Sequence, residues 1–223
     1  MKAVSLILEK NELLGLIGPN GAGKTTLFNC ISGFYLPSSG TVKFNGTDIT
    51  GYTPYEICKT GLVRTFQIPK PFSKLTAIEN VMVGAFNHTN RVDVARRQAE
   101  KSLRLVGFGD KLDVLGKNLT VAQRKHVELA KALSTEPKVI LLDEVMAGLN
   151  PTELETILEI LRDIRASGIA ILVIEHVMHA IMNLCDRIVV LDYGEKIADG
   201  TPKEVAKHPR VIEAYLGEEY SIA

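Results

Sequence analysis

Two kinds of apolar pattern alternate along the chain. Leu13-Leu14-Gly15-Leu16-Ile17, Val139-Ile140-Leu141-Leu142-Asp143 and Ile169 to Ile174 are short, almost unbroken apolar runs, which predict strands buried on both faces. Between them, apolar residues recur at helical spacing over 26–31, from Ile78 through Val81 and Met82, over 94–106, over 121–133 and from Pro151 to Ala166. In the 94–106 segment Ala95, Ala99, Leu103 and Val106 make the apolar stripe, and Arg96, Arg97, Glu100, Lys101 and Arg104 a solvated face. Asn150 predicts an N-cap, with Pro151 at the first helical position and Glu153 completing a capping box.

Weaker alternation fills in the rest. Residues 3–9 predict an edge strand, and 41–45 a strand running into a hairpin turn at Asn45-Gly46. Residues 61–66 predict a strand that ends at Gln67, ahead of Pro69 and Pro71. Two terminal strands, 187–191 and 195–198, meet at Asp192-Tyr193-Gly194, and helices follow Pro202 and Pro209. Strands that alternate with helices predict an α/β fold with a largely parallel core. A β-rich portion surrounds the first glycine-rich turn, and the helical block at 72–135 interrupts the core as an inserted subdomain. No internal repeat appears, so residues 1–223 are expected to form one domain.

Composition narrows the partners. With 26 Lys+Arg against 26 Asp+Glu, the net charge provides no electrostatic pull toward nucleic acid or an anionic bilayer. Cys30, Cys58 and Cys185 form no C-x-x-C pair and no metal spacing, and are expected to be reduced thiols. No apolar run approaches the roughly 18 residues of a membrane span, and the N-terminal run, broken by Glu9 and Lys10, is too short for a signal segment. These features predict a cytoplasmic protein.

The chemistry begins at Gly18-Pro19-Asn20-Gly21-Ala22-Gly23-Lys24-Thr25, which fits G-x-x-x-x-G-K-[ST] between a predicted strand and a predicted helix. Such a turn aims backbone N–H groups and a helix N-terminus at a polyphosphate. Lys24 can reach the terminal phosphates and the Thr25 hydroxyl can ligate Mg²⁺. Asp143 closes an apolar strand, where a carboxylate can organise Mg²⁺ through water. Glu144, one residue on, can orient or deprotonate an attacking water. His176 follows another apolar strand, placing an imidazole beside a γ-phosphate, and the Gln67 amide oxygen can reach Mg²⁺ or water. The other histidines, His88, His126, His179 and His208, read as structural or surface residues.

Taken together, these residues resemble an ATP-binding-cassette ATPase over nearly the whole chain. The phosphate loop is GPNGAGKTT at 18–26, the glutamine loop is centred on Gln67, the second nucleotide motif is VILLDE at 139–144, and Ala147-Gly148-Leu149-Asn150 follows the catalytic glutamate. Further segments are similar to the branched-chain amino acid importer branch: RTFQ at 64–67, ENV at 79–81, DEVMAGLNPTE at 143–153, IEHVM at 174–178, and the terminal GTPKEV and YLGE. The resemblance implies a P-loop NTPase (RecA-like) core with an N-terminal antiparallel β portion and an inserted helical subdomain. It implies Glu144, His176 and Gln67 as catalytic residues, and nucleotide contacts from Asn20, Gly21, Ala22, Gly23, Lys24, Thr25, Thr26 and Asp143. Thr25, Gln67 and Asp143 are the implied Mg²⁺ site. The family signature falls at Leu119-Thr120-Val121-Ala122-Gln123, implied to touch ATP held by a second ATPase subunit, identical or not. Thr120 can replace the usual serine as a donor to the γ-phosphate.

Two departures stand out. Ala122 occupies a glycine position: with negative φ the methyl costs little, with positive φ about 1 kcal/mol or more, and a slower ATPase is the expectation. No aromatic precedes Phe28, so the adenine-stacking residue that the family places upstream is not found, and base selectivity between ATP and GTP stays open. The resemblance also implies transmembrane permease subunits, docked near Gln67 and an apolar patch of Pro69, Pro71, Phe72 and Leu75, on the inner face of the cell membrane. An extracytoplasmic solute-binding protein is implied indirectly. Neighbouring ATPases serve other amino acids, amides or urea. Cassette ATPases of DNA repair or translation carry coiled-coil insertions or tandem cassettes, and neither is present here. A nucleotide sensor without turnover is disfavoured by the pairing of Glu144 with His176.

Overall fold

A computed structural model describes Lys2 and residues 4–219, the side chains of 216–219 excepted; Ala3 of the predicted edge strand and most of the YLGE side chains lie outside the described residues. In chain order the elements are β1 (Leu13–Ile17), α1 (Lys24–Ile31), β2 (Lys43–Phe44), β3 (Thr47–Asp48), α2 (Pro54–Thr60) and β4 (Leu62–Arg64). Next come α3 (Ala77–Ala85), α4 (Val92–Leu105), α5 (Val121–Leu133), β5 (Val139–Asp143), α6 (Pro151–Ala166) and β6 (Ala170–Ile174). The chain ends with α7 (Met178–Leu184), β7 (Arg187–Asp192), β8 (Glu195–Gly200), α8 (Pro202–Val205) and α9 (Pro209–Glu219).

Six strands form one sheet in the order β4-β5-β6-β1-β7-β8, parallel throughout except for the β7–β8 hairpin. The apolar runs are explained by burial on both faces. Leu13, Ile17, Ile140, Leu142, Ile171 and Val173 pack on one side with Ile157, Leu161 and Ile164 of α6. Leu14, Leu16, Leu141, Leu172, Ile174 and Val189 pack on the other with Leu27 and Phe28 of α1 and with Phe44, Ile49 and Ile57. Successive strand residues point to opposite faces, so each strand must be apolar throughout.

Between β4 and β5, neighbours in the sheet, the chain builds α3, α4 and α5, which pack chiefly on one another. Their apolar stripes, including Val81, Ala95, Ala99, Leu103 and Val127, join the cluster on the α6 side of the sheet. Asn45 (φ 49) and Gly46 (φ 81) turn the β2–β3 hairpin as expected.

Three differences from the sequence reading have local causes. Val4, Leu6 and Leu8 do lean on the core while Ser5 and Ile7 face out, yet residues 4–9 form no ladder among the described residues. Alternation reports burial of one face, whereas a strand also needs a paired neighbour. Helix α2 was not anticipated, although Thr53, Pro54 and Glu56 carry the signal: the Thr53 hydroxyl accepts from the Glu56 N–H and the Glu56 carboxylate accepts from the Thr53 N–H. Helix α7 was also unanticipated; it has no side-chain cap and only Ala180, Ile181 and Leu184 buried, too little pattern to read in seven residues.

Helices α3 and α5 approach closely at Gly84. A Cβ there would lie 2.3 Å from the Lys131 carbonyl oxygen and 2.3 Å from Ser134 Oγ, while Ser134 Oγ donates to the Val81 carbonyl at 2.8 Å. Helix propensity alone favours alanine by roughly 1 kcal/mol, but the obstacle is backbone. Gly84→Ala is therefore expected to destabilise the fold by about 1–3 kcal/mol, read as a lower midpoint in urea unfolding.

A candidate ATP-hydrolysing site at the sheet edge

The phosphate loop leaves β1 at the carboxyl edge of the sheet. Gly18 has φ 149, and a Cβ on it would lie 2.0 Å from the Leu191 carbonyl oxygen, so only glycine lets the loop turn against β7. Gly21 (φ 80) and Gly23 (φ 102) are left-handed as well, and a Cβ at Gly21 would meet open space. Gly23 is also the N-cap of α1, and no side chain caps the helix, whose N-terminus is the kind of site that suits an anion. Lys24 is buried, and its Nζ donates to the Gly18 and Pro19 carbonyls at 2.6 and 2.9 Å.

Glu144 is the hub of the opposite wall. Gln67 Nε2 donates to its Oε2 at 2.5 Å, and His176 Nε2 lies 3.2 Å from its Oε1. A carboxylate can only accept, so the Gln67 amide presents nitrogen to Glu144 and keeps its oxygen for another partner. Glu144 itself has φ 51, a left-handed conformation that costs a non-glycine residue on the order of 1–3 kcal/mol. Asp143 is buried, and its Oδ2 accepts from Arg64 at 2.7 Å. Thr25, Gln67 and Asp143, a hydroxyl, an amide and a carboxylate, all line one groove of about 1010 Å³. That all-oxygen donor set suits Mg²⁺, and the glycine cradle beside it suits a polyphosphate.

The signature segment forms the start of α5. The Thr120 hydroxyl accepts from the Gln123 N–H and Gln123 Oε1 accepts from the Thr120 N–H, a reciprocal cap. Leu119 is buried, and Val121 is 59% exposed on the outer face. Ala122 sits in the first turn and is not among the residues of positive φ, so the strained alternative does not arise. In the predicted docking patch Phe72 is 53% exposed, whereas Pro69, Pro71 and Leu75 are half-buried.

Sequence reasoning missed three charged groups that hold this edge: Arg64, Lys125 and Glu175. Lys125 is buried, and its Nζ donates to the carbonyls of Glu144, Val145 and Ala147 at 3.3, 2.8 and 2.6 Å. Glu175 Oε1 accepts from the Met146 N–H at 2.6 Å. Together they clamp the strained turn from two sides. Their only trace in sequence is a charge flanked by motif residues, with nothing to mark it as buried. Burial pushes the Glu175 carboxyl up to about 7 and holds the Lys125 ammonium below the usual lysine range. Since Glu175 keeps its proton in the folded state above the ordinary 4.5, its contribution to stability is present below that pH and lost as pH rises toward about 7. Glu175→Gln retains an acceptor for Met146 and removes the titration. Denaturant midpoints across that window are expected to fall with pH more steeply in the wild type than in the variant.

Residues 1–147 match the family model described as ABC transporter, and residues 195–221 match that of the branched-chain amino acid ATP-binding cassette transporter. The high-affinity branched-chain amino acid transport ATP-binding protein BraF of Pseudomonas aeruginosa is 35% identical, over 98% of this chain and 92% of its own length. LivG of Salmonella typhimurium, of the same description, is 38% identical over 96% of this chain and 91% of its own. The crystal structure of the ADP conformation of an ATP-binding cassette of an ABC transporter superposes with a TM-score of 0.86 at 34% identity, over 96% of this chain and 91% of that one. This chain belongs to the ABC transporter ATPases, in the branched-chain amino acid importer family.

Proposed function

We propose that this chain hydrolyses ATP, with Mg²⁺, as the cytoplasmic ATPase subunit that powers import of branched-chain amino acids. The observation that carries the reading is the Glu144 carboxylate, hydrogen-bonded by Gln67 on one oxygen and with His176 Nε2 3.2 Å from the other, at the sheet edge where β1 delivers the phosphate loop. In this reading Glu144 orients the attacking water and takes its proton, and His176 holds the γ-phosphate and water in line. Lys24 and the backbone N–H groups of 20–25 neutralise charge on the transferring oxygens. Thr25 and the Gln67 amide oxygen would hold Mg²⁺, with Asp143 acting through its water shell; the ion would neutralise charge on the transferring phosphate.

A second ATPase subunit completes each site. Thr120 already accepts a hydrogen bond from Gln123, so its own proton is left to donate to the γ-phosphate held by that subunit. Residues 72–135 act as the helical subdomain, and the groove between α2, α3 and β4, with exposed Phe66, Ile68 and Phe86 along it, receives a permease at the inner face of the membrane. The match over 195–221 and the descriptions of the relatives support branched-chain amino acids over other amino acids, amides or urea.

Glu144→Gln tests the assignment directly. ATP turnover is expected to fall by about 100-fold or more, with nucleotide binding retained; wild-type turnover would refute the role. Ala122→Gly, measured in the assembled transporter, is expected to raise turnover, because removal of the methyl lets the backbone of α5 approach the phosphate more closely. An unchanged rate would show that the methyl does not limit closure.

A further inference from the structure

Arg64 ends β4 with its side chain 8% exposed, and its contacts reach in every direction. One nitrogen of the guanidinium donates to Asp143 Oδ2 at 2.7 Å. The other terminal nitrogen donates to Asn29 Oδ1 at 2.6 Å and to Ser32 Oγ at 3.2 Å, both on or beside α1. Three rings wall it in, with centroids 5.6 Å (Phe28), 5.7 Å (Phe34) and 5.8 Å (Phe66) from the guanidinium carbon. Phe34 and Phe66 meet edge to face at 5.9 Å, closing the cage on the groove side. Nε finds no acceptor among the described residues, so the geometry serves the terminal nitrogens at the expense of the third.

A plain structural pairing needs none of this. A buried carboxylate could be neutralised by one cation, or replaced with apolar bulk at little loss. Here the planar fork is aimed at Asp143 from a fixed platform, and rings and α1 keep it from swinging. Fork geometry and ring stacking are properties that a lysine lacks. Asp143 Oδ2 is therefore committed to the protein, and Oδ1 makes no hydrogen bond among the described residues.

We propose that Arg64 is a positioning residue for hydrolysis: by holding Asp143 Oδ2 it presents Oδ1 to the hydrated Mg²⁺ of the nucleotide, a role that rests on the reading of Asp143 as the metal-organising carboxylate. Arg64 touches neither nucleotide nor metal in this scheme. It acts through Asp143, as outer partners of metal-site carboxylates do.

The test uses the full chain and a fluorescent ATP analogue. Nucleotide affinity is measured in EDTA and then as a function of Mg²⁺, beside the Mg²⁺ concentration that half-saturates ATPase activity. Arg64→Lys is expected to raise the half-saturating Mg²⁺ by about 10-fold or more, with affinity in EDTA within about twofold of wild type. Asn29→Ala, which removes the second anchor of the guanidinium, should shift it the same way by less, and it keeps the test decisive if the lysine variant folds poorly. A purely structural role would lower the unfolding temperature of these variants and leave their Mg²⁺ dependence at the wild-type value, which overturns the proposal. If Asp143→Asn leaves the wild-type Mg²⁺ dependence intact, the reading of Asp143 fails and the role of Arg64 goes with it. If only the Arg64 and Asn29 variants are silent, that reading stands and the proposal alone is wrong.

Discussion

The register of the parallel strands is the constraint on which the site depends. Leu16 of β1 and Asp143 of β5 both lie opposite Ile174 of β6, so three strands end at nearly the same height. The residues that follow them, Gly18, Glu144 and the Glu175-His176 pair, then emerge side by side at one edge. Parallel strands send all their carboxyl ends to the same side, which is where ligands bind in open α/β sheets. A slip of one residue in β5 would turn Asp143 to the other face and separate Glu144 from His176.

Three carboxylates at that edge, those of Asp143, Glu144 and Glu175, are handled in three ways. Asp143 is paired at 2.7 Å with the buried Arg64 guanidinium. Glu144 accepts from the Gln67 amide and lies 3.2 Å from the His176 imidazole, and its side chain remains 21% exposed. Glu175 is desolvated and retains its proton more readily, so it does not add a third full charge near neutral pH. Neighbouring acids held in such different surroundings are free to take different tasks.

The legible part of this protein was the part written locally. The phosphate loop, the strand that precedes it, the capping box at Asn150 and the Asn45-Gly46 turn each combine a residue type with a nearby spacing, and each appears where it was read. Arg64, Lys125 and Glu175 were not legible as site residues because their partners lie far along the chain: Arg64 meets Asp143, Lys125 meets Glu144 to Ala147, and Glu175 meets Met146. Local pattern also misled at residues 4–9, where inward apolar residues imitate a strand that forms no ladder among the described residues. The strain at Glu144 was invisible for a related reason. Nothing in Asp-Glu-Val predicts a left-handed glutamate; the conformation is imposed by bonds from α5 and from the end of β6.

Those bonds tie the start of α5 to the Glu144 turn within one subunit. The start of α5 carries Thr120 to Gln123, the segment proposed to face a partner's nucleotide, and Lys125 follows on the same helix. Its ammonium holds three carbonyls of the turn that begins at Glu144. A shift of α5 relative to β5 therefore either drags that turn with it or leaves a buried ammonium without its acceptors, and the second option costs several kcal/mol by the usual penalty for an unpaired buried charge. Moving the turn is the cheaper response. Because Glu144 is already strained at φ 51, a small displacement of its backbone is enough to change how its carboxylate meets Gln67 and His176. Packing alone thus links the start of α5, the segment proposed to read a neighbouring site, to the Glu144 turn.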